Sequence, residues 1–286
     1  MNTIELAKTY VPMLDEVYAQ ASLTARLDGD GALCSQGAGA GELIVPMMTM
    51  QGLGDYDRGG GYADGDVTLK NTTVQCNFDR GRMFSVDSLD NAETAGVAFG
   101  RLAGEFIRTK VAPELDAFRF AQYAGKEGIG TASGALTDGK AVVAALRAAL
   151  NAMDGGEVPP EDRHLFILPE LLALVEDLDT TASRAVLQNF ASITQVPGQR
   201  FHTAITQRDG VSEGQLDGGF VPGGKAINFM VVHKPAVIQF QKHAAPKIIS
   251  PEQNQKADAW KYGYRNVGVA DVYAGKLAGV YCHTVS

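Results

Sequence analysis

Several residue patterns in this chain have the types that chemistry needs, and each breaks off before the pattern is complete. Asp28 and Asp30 begin as a calcium loop does, with carboxylates on alternate residues, but the place of the closing bidentate Glu is taken by Gly39. His233, His243 and His283, with Cys282, are metal-ligating types, yet no pair has the compact spacing of a metal site. The glycines of residues 52–61 lack the terminal Gly-Lys-Ser/Thr that lets a loop cradle phosphate, and Gly37-Ala38-Gly39-Ala40-Gly41 runs into Glu42 where a dinucleotide loop needs glycine. Ser85 and Ser88 have no nucleophile-elbow context, and Glu170, Glu176 and Asp177 read as the solvated face of one helix. The expectation is therefore no catalytic residue, no cofactor and no metal.

What stands out instead is how the chain builds shape. Leu43, Ile44, Val45, Met47 and Met48 suggest an extended strand broken by Gly52 and Gly54 and then by Gly59-Gly60-Gly61. A return strand follows, in which Val74, Cys76 and Phe78 alternate with Gln75, Asn77 and Asp79, the period of a half-buried strand. The two make a long hairpin, and an isolated hairpin is marginal in water, so it should lean on a neighbour within the chain or on another copy.

The hairpin runs straight into a helix. Asp87, Ser88 and Asp90 are N-cap candidates, and Glu93 favours the helix dipole. A continuous helix over 91–124 would be roughly 50 Å long. Phe99, Leu102, Ala103, Phe106 and Ile107 share one side, whereas Arg101, Glu105, Arg108, Asp116 and Arg119 fall opposite and read as a solvated, self-paired face. Pro113 lacks an N–H and crowds the preceding turn, which predicts a bend.

The flanking regions are of other kinds. Residues 1–40 combine a weak apolar helical pattern (Ile4, Ala7, Val11, Leu14, Tyr18, interrupted by Pro12) with a Gly-rich stretch, an arm that packs on something else. Past the joint at 125–134 the pattern is helix, strand, helix: 137–153, with Thr137 as half a capping box; the strand His164-Leu165-Phe166-Ile167-Leu168; then a helix opened by Pro169. A shorter helix near 181–190 follows, and the last sixty or so residues read as strands, among them the apolar run 226–232 and an alternating run from Trp260 to Val272. No internal repeat is present, and the order of elements is α+β.

Composition sets the limits. The chain has 286 residues, 45% apolar and 20% charged, enough for a real core in one or two domains. No run approaches the roughly 18 apolar residues of a membrane span, and Met1-Asn2-Thr3-Ile4-Glu5 lacks the order of a signal peptide. Cys34, Cys76 and Cys282 are odd in number and far apart, which speaks for a reducing compartment. A net charge of -8 tells against a dedicated nucleic-acid reader.

Residues 72–120 carry a more specific signal in Thr72-Thr73, Asp79-Arg80-Gly81-Arg82, Phe84, Asp87, Asp90, Glu93-Thr94, Phe106, Val111, Pro113-Glu114 and Asp116-Ala117-Phe118. Ile248-Ile249-Ser250-Pro251-Glu252 and Ala257-Asp258-Ala259-Trp260 add weaker likeness. Together these resemble the tailed-phage major capsid proteins of the Hong Kong 97-type fold.

That resemblance implies a fold with an N-terminal arm (1–40), an extended hairpin or E-loop (41–87), a peripheral domain with a spine helix and long strands (88–124 and 241–274), and a mixed α/β axial domain (125–240 and 275–286). It implies a structural, non-enzymatic protein of the virion, assembled in the host cytoplasm into hexamers and pentamers of an icosahedral head enclosing double-stranded DNA. In such a shell the hairpin of one subunit lies over the spine helix of the next. The implied partners are further copies of itself, portal and scaffolding proteins, decoration proteins in some heads, and DNA held by non-specific contacts, with no membrane. About forty residues precede the hairpin, too few for a fused scaffolding segment, so scaffolding is expected from a separate protein or from a segment already removed. Candidates for subunit contacts are Asp57 and Arg58 at the hairpin tip, Arg80, Arg82 and Asp87 at its base, and Arg101, Glu105 and Arg108 on the helix. The alternatives are a cellular nanocompartment shell with the same tile and, remotely, a soluble α+β enzyme.

Overall fold

The computed structural model describes residues 21–29, 35–36, 42–62, 64–88 and 97–286. The expected N-terminal helix, most of the Gly-rich stretch, and Asp90 and Glu93 lie outside them.

The hairpin consists of β2 (Glu42–Met50) and β3 (Val67–Gln75), with β1 (Ser35–Gln36) added along the first residues of β2. Its antiparallel register runs from Glu42 opposite Gln75 to Met50 opposite Val67. Pro46 has no N–H to give, and it sits beyond the Ile44–Ser35 and Leu43–Gln36 pairs, on the part of β2 that β1 leaves open.

The return strand is shorter than its alternation predicts. It stops at Gln75, and residues 78–87 form a separate strand, β4 (Phe78–Asp87), in a different sheet. Asn77 makes the transfer: its side-chain amide donates to the Ala270 carbonyl at 2.8 Å and accepts from the Ala270 N–H at 3.1 Å, as a strand residue's main chain would. β4 then pairs with β11 (Ala259–Val272) over ten residues, and β11 pairs on its other side with β10 (Val237–Ile249).

The long helix lies against this three-stranded sheet, with ring centroids 4.8 Å apart for Phe84 and Phe106 and 5.0 Å for Phe78 and Phe118. It comprises α1 (Val97–Phe106), one π-helical turn (Ile107–Val111) and α2 (Ala112–Ala124), about 42 Å of described helix. Where a bend is expected at Pro113, the helix has that wider turn, which accommodates a residue that cannot donate to the turn before it. A second expectation is overturned. α2 is buried on nearly every side, and Asp116 and Arg119, read from the sequence as solvated, are 0% and 2% exposed.

The remaining chain forms a six-stranded sheet in which β5 (Gly130–Ser133), β12 (Val280–Thr284), β9 (Phe220–His233), β6 (Arg163–Ile167) and β7 (Ser192–Gln195) run in that spatial order, with β8 (His202–Gln207) on the other part of β9. Both of its faces are covered. Phe166, Met230, Val232 and Cys282 point to the core that holds Phe120 and Tyr123 of α2, whereas Leu165, Ile167, Phe229 and Val231 point to a second core. That second core is closed by α3 (Gly139–Gly155), α4 (Pro169–Asp177) and α5 (Thr181–Leu187). Burial on both faces is why these strands read as unbroken apolar runs. The cap of α3 is Asp138, which accepts from Ala141 N at 2.8 Å, and not Thr137. Gly139 follows because a Cβ there would stand 2.2 Å from the Leu174 carbonyl, where α3 meets α4. Pro169 opens α4 as expected.

Candidate functional site

Three features of the hairpin and spine helix set this region apart. The first is the hairpin tip. Asp57 folds it by accepting from the main-chain N–H groups of Gly59 (3.1 Å) and Gly60 (2.9 Å), and the main chains of Asp57 and Gly61 bridge. Gly61 takes φ +85°, which closes this turn without the clash a side chain would bring. The turn stacks Tyr56 beside Tyr62, ring centroids 4.9 Å apart. The tip is thus a shaped knob, and it presents large apolar side chains to solvent: Leu53 is 107% exposed, Tyr62 88% and Tyr56 60%. Arg58, on the same knob, is exposed and forms no ion pair with a described residue.

The second is the base, where β4, the helix around the π turn and the β8–β9 loop enclose a cleft of about 1010 Å³. Arg80, Arg82 and Glu105 line it, so three of the eight contact candidates come together there. Arg80 donates to Glu114 at 2.8 Å and to the carbonyls of Arg208 (2.7 Å) and Gly219 (3.2 Å), the two residues that close the loop. Arg82 donates to the Leu216 carbonyl at 2.9 Å, and its guanidinium packs so closely on Gly210 and Gly218 that a Cβ at either would be 2.8 or 3.0 Å away. Both arginines therefore tie the β8–β9 loop to the hairpin base. Burial pushes the Glu114 carboxyl above its ordinary value, with the Arg80 charge and hydrogen bond pulling the other way. In that loop Asp209 is held down at about 2 by the Ser212 hydroxyl and the N–H groups of Val211 and Ser212. The cleft offers aromatic surface, guanidinium groups and carboxylates.

The remaining candidates are spread out, although Arg108 reaches the cleft's Glu105. Glu105 and Arg108 pair with each other at 2.8 Å on the exposed helix surface, as their spacing of three predicts. Asp87 is exposed at the far end of β4, opposite Ala259. The Arg101 side chain lies outside the described residues.

The third feature was missed in the sequence. Asp116 accepts from Ser22 Oγ (2.8 Å), Thr24 Oγ1 (2.7 Å) and the N–H groups of Leu23 (2.9 Å) and Thr24 (3.2 Å), with Arg200 at 3.5 Å. Arg119 donates to Thr24 Oγ1 (2.9 Å) and to Asp28 (3.1 Å), and Gln239 of β10 donates to the Thr24 carbonyl and to Asp28, both at 2.7 Å. Residues 22–28 are thereby clamped onto the spine helix by buried charges. No local signal marks it: Asp116 and Arg119 fall in the one sector of the helix that Leu115, Ala117, Phe118, Phe120 and Ala121 leave without an apolar residue, and that sector is covered by residues 22–28.

No helix among the described residues is long and apolar enough to cross a membrane, and no group of three or more His, Cys, Asp or Glu among them could hold a metal ion. Cys282 is buried, which pushes its thiol up to about 12 and makes it a poor nucleophile.

Residues 22–28 clamped to a long helix, a hairpin in a sheet of its own and an α/β body that shares a core with that helix together make the Hong Kong 97-type capsid fold, the fold of tailed-phage major capsid proteins. The comparisons with solved structures bear this out. A chain of Mycobacterium phage Che8 superposes with a TM-score of 0.57 at 14% identity, covering 84% of each chain. The capsid of cyanophage P-SCSP1u gives 0.54 at 13% identity over 87% of this chain and 84% of that one. A virus-like particle from Pyrococcus furiosus gives 0.56 at 10% identity over 98% and 99%. No family model matches the chain, and no curated protein matches it.

Proposed function

We propose that this chain is the major subunit of a phage head: a non-enzymatic tile that assembles into the hexamers and pentamers of an icosahedral shell around double-stranded DNA. The observation that carries this reading is that phage capsid chains share its fold over 87% and 86% of its length, which leaves little of the molecule for another task. The exposed knob supports it, because Leu53, Tyr56 and Tyr62 leave large apolar side chains in water where another chain could cover them. In this reading residues 1–40 are the arm, 41–87 the E-loop, 88–124 with 241–274 the peripheral domain, and 125–240 with 275–286 the axial domain. Asp57, Arg58, Arg80, Arg82, Asp87, Arg101, Glu105 and Arg108 lie at or near subunit boundaries. Scaffolding and portal proteins act with it during assembly in the host cytoplasm, and decoration proteins are candidate partners of the finished head.

A second reading has one observation in its favour. The match to the Pyrococcus virus-like particle spans both chains almost completely, which fits a cellular nanocompartment built of the same tile. Electron microscopy of particles from co-expression with the neighbouring genes, together with analysis of their contents, separates the two. Closed shells enclosing DNA support the head, closed shells enclosing an enzyme support the compartment, and a subunit that never closes a shell overturns both.

A further inference from the structure

We infer that the cleft between the π-helical turn, β4 and the β8–β9 loop binds a nucleoside phosphate, with Asn266 reading the edge of an adenine and Lys110 and Arg208 holding the phosphate. The site belongs to a single subunit and does not rest on the shell reading.

The back of the cleft carries a polar group without a partner. Asn266, on β11 opposite Arg80, is 1% exposed, lines the cleft, and has neither its amide oxygen nor its amide nitrogen hydrogen-bonded among the described residues. Alternation along β11 puts it on the same face as Tyr264, whose ring lies 6.4 Å from that of Phe106 on α1, so it belongs to the sheet face that the helix covers. A buried amide with both ends unmet destabilises the chain unless something supplies a donor and an acceptor. Asn77 shows the contrast, its amide met at both ends by the main chain of Ala270. A planar group with a donor beside an acceptor meets both ends of an Asn amide at once, and the amino group and N7 of adenine are such a pair.

The walls suit a flat ring. Phe84, Phe106 and Tyr264 line the same cleft, and aromatic side chains are the surfaces on which bases stack. Its volume of about 1010 Å³ is at the upper end of what small-molecule sites enclose, so a base and its sugar phosphate are accommodated together.

Charge calls for an anion. Three cations at the cleft, Arg82, Lys110 and Arg208, form no ion pair with a described residue. Of the cleft's carboxylates, Glu114 is held by Arg80, Glu105 by Arg108 and Asp209 by its own turn, which leaves Asp217. Lys110 is exposed and Arg208 half-buried, which places two of the three cations within reach of solvent, where a phosphate would stay partly hydrated. Side chains, and not a glycine loop, would hold the phosphate, so the incomplete glycine patterns at 37–41 and 52–61 do not bear on this site.

Isothermal calorimetry and saturation-transfer NMR on the full chain before assembly test this, with adenosine monophosphate as the probe. Binding is expected, with adenosine and inorganic phosphate each weaker by about tenfold or more. Asn266→Leu should weaken the nucleotide by about tenfold while the melting temperature holds or rises, because an unmet buried amide has been removed. Lys110→Ala with Arg208→Ala should weaken the nucleotide by a similar factor and leave adenosine unchanged. A short single-stranded oligodeoxyadenylate separates two sources of the same chemistry: binding tighter than the mononucleotide assigns the site to a polynucleotide, and weaker binding to a free nucleotide. No binding of adenosine monophosphate at millimolar concentration, or binding that either variant leaves unchanged, overturns the site. Phosphate bound as tightly as the nucleotide overturns the role of Asn266. Shell closure is scored in a separate experiment, so the loss of this site leaves the shell reading standing.

Discussion

The hairpin and the six-stranded sheet are built from similar strand-forming residues and end in opposite states. Every residue of β6 is buried, as are the last seven of β9, and each face has its own core. On the hairpin, by contrast, Met50, Val67 and Leu69 are exposed together with Leu53, Tyr56 and Tyr62. Leaving that much apolar surface in water forfeits about 25 cal/mol for each Å² that a partner could cover. The sheet is completed by its own chain; the hairpin has the surface of an element completed by another. Between them lies the Asp116 clamp, charged and buried, which attaches the arm to the spine helix.

The sharpest way to break this contrast is in the shared core. Phe120 lies between Phe166 and Phe201, ring centroids 5.1 and 4.9 Å away, and Phe120→Ala should cost about 3–5 kcal/mol, read by denaturant unfolding. Asp116→Ala comes next. It strips a buried carboxylate from four donors and leaves Arg200 without it, so about 3 kcal/mol should be lost, and the amides of Leu23 and Thr24 should exchange hydrogen faster than those of α3.

Acid should separate the two regions more gently. His164, His202, His233 and His283 all belong to the six-stranded sheet, and burial holds each below its ordinary value of 6.5. As pH falls through 6.5 the unfolded chain takes up protons that the folded chain still refuses, so stability is present above that value and declines below it. Glu114 works in the other direction, its raised value making the ionised form the penalised one as pH rises past 4.5. One carboxyl against four imidazoles leaves the loss on acidification dominant, and a melting series from pH 7.5 to about 5 should show it, with amide exchange rising first in β6, β9 and β12. The smallest effect is expected at the knob: Tyr62→Ser should change subunit stability by no more than about 0.5 kcal/mol in the same unfolding assay while weakening particle assembly.

The parts of the fold that could be read in the sequence are those with a period. Alternation exposed the hairpin, and unbroken apolar runs marked the sheet interior. Three things were not legible, each for a physical reason. The break at Cys76–Asn77 hid because Asn77 continues the alternation while its side chain, and not its main chain, makes the next pairing. Asp116 and Arg119 looked solvated because charge spacing on a helix does not reveal which side is covered, and their partners Thr24 and Asp28 are distant in sequence. The cleft is assembled from residues 78–84, 102–114, 197–220 and 264–266, and no local pattern ties four such segments together.

The central claim is that the hairpin is folded for a neighbour and the rest of the chain for itself. Deleting residues 52–64 tests it directly, with the melting temperature and electron micrographs recorded on the same preparation. The account predicts an unchanged melting temperature and no closed shells; normal shells from the deleted protein would contradict it.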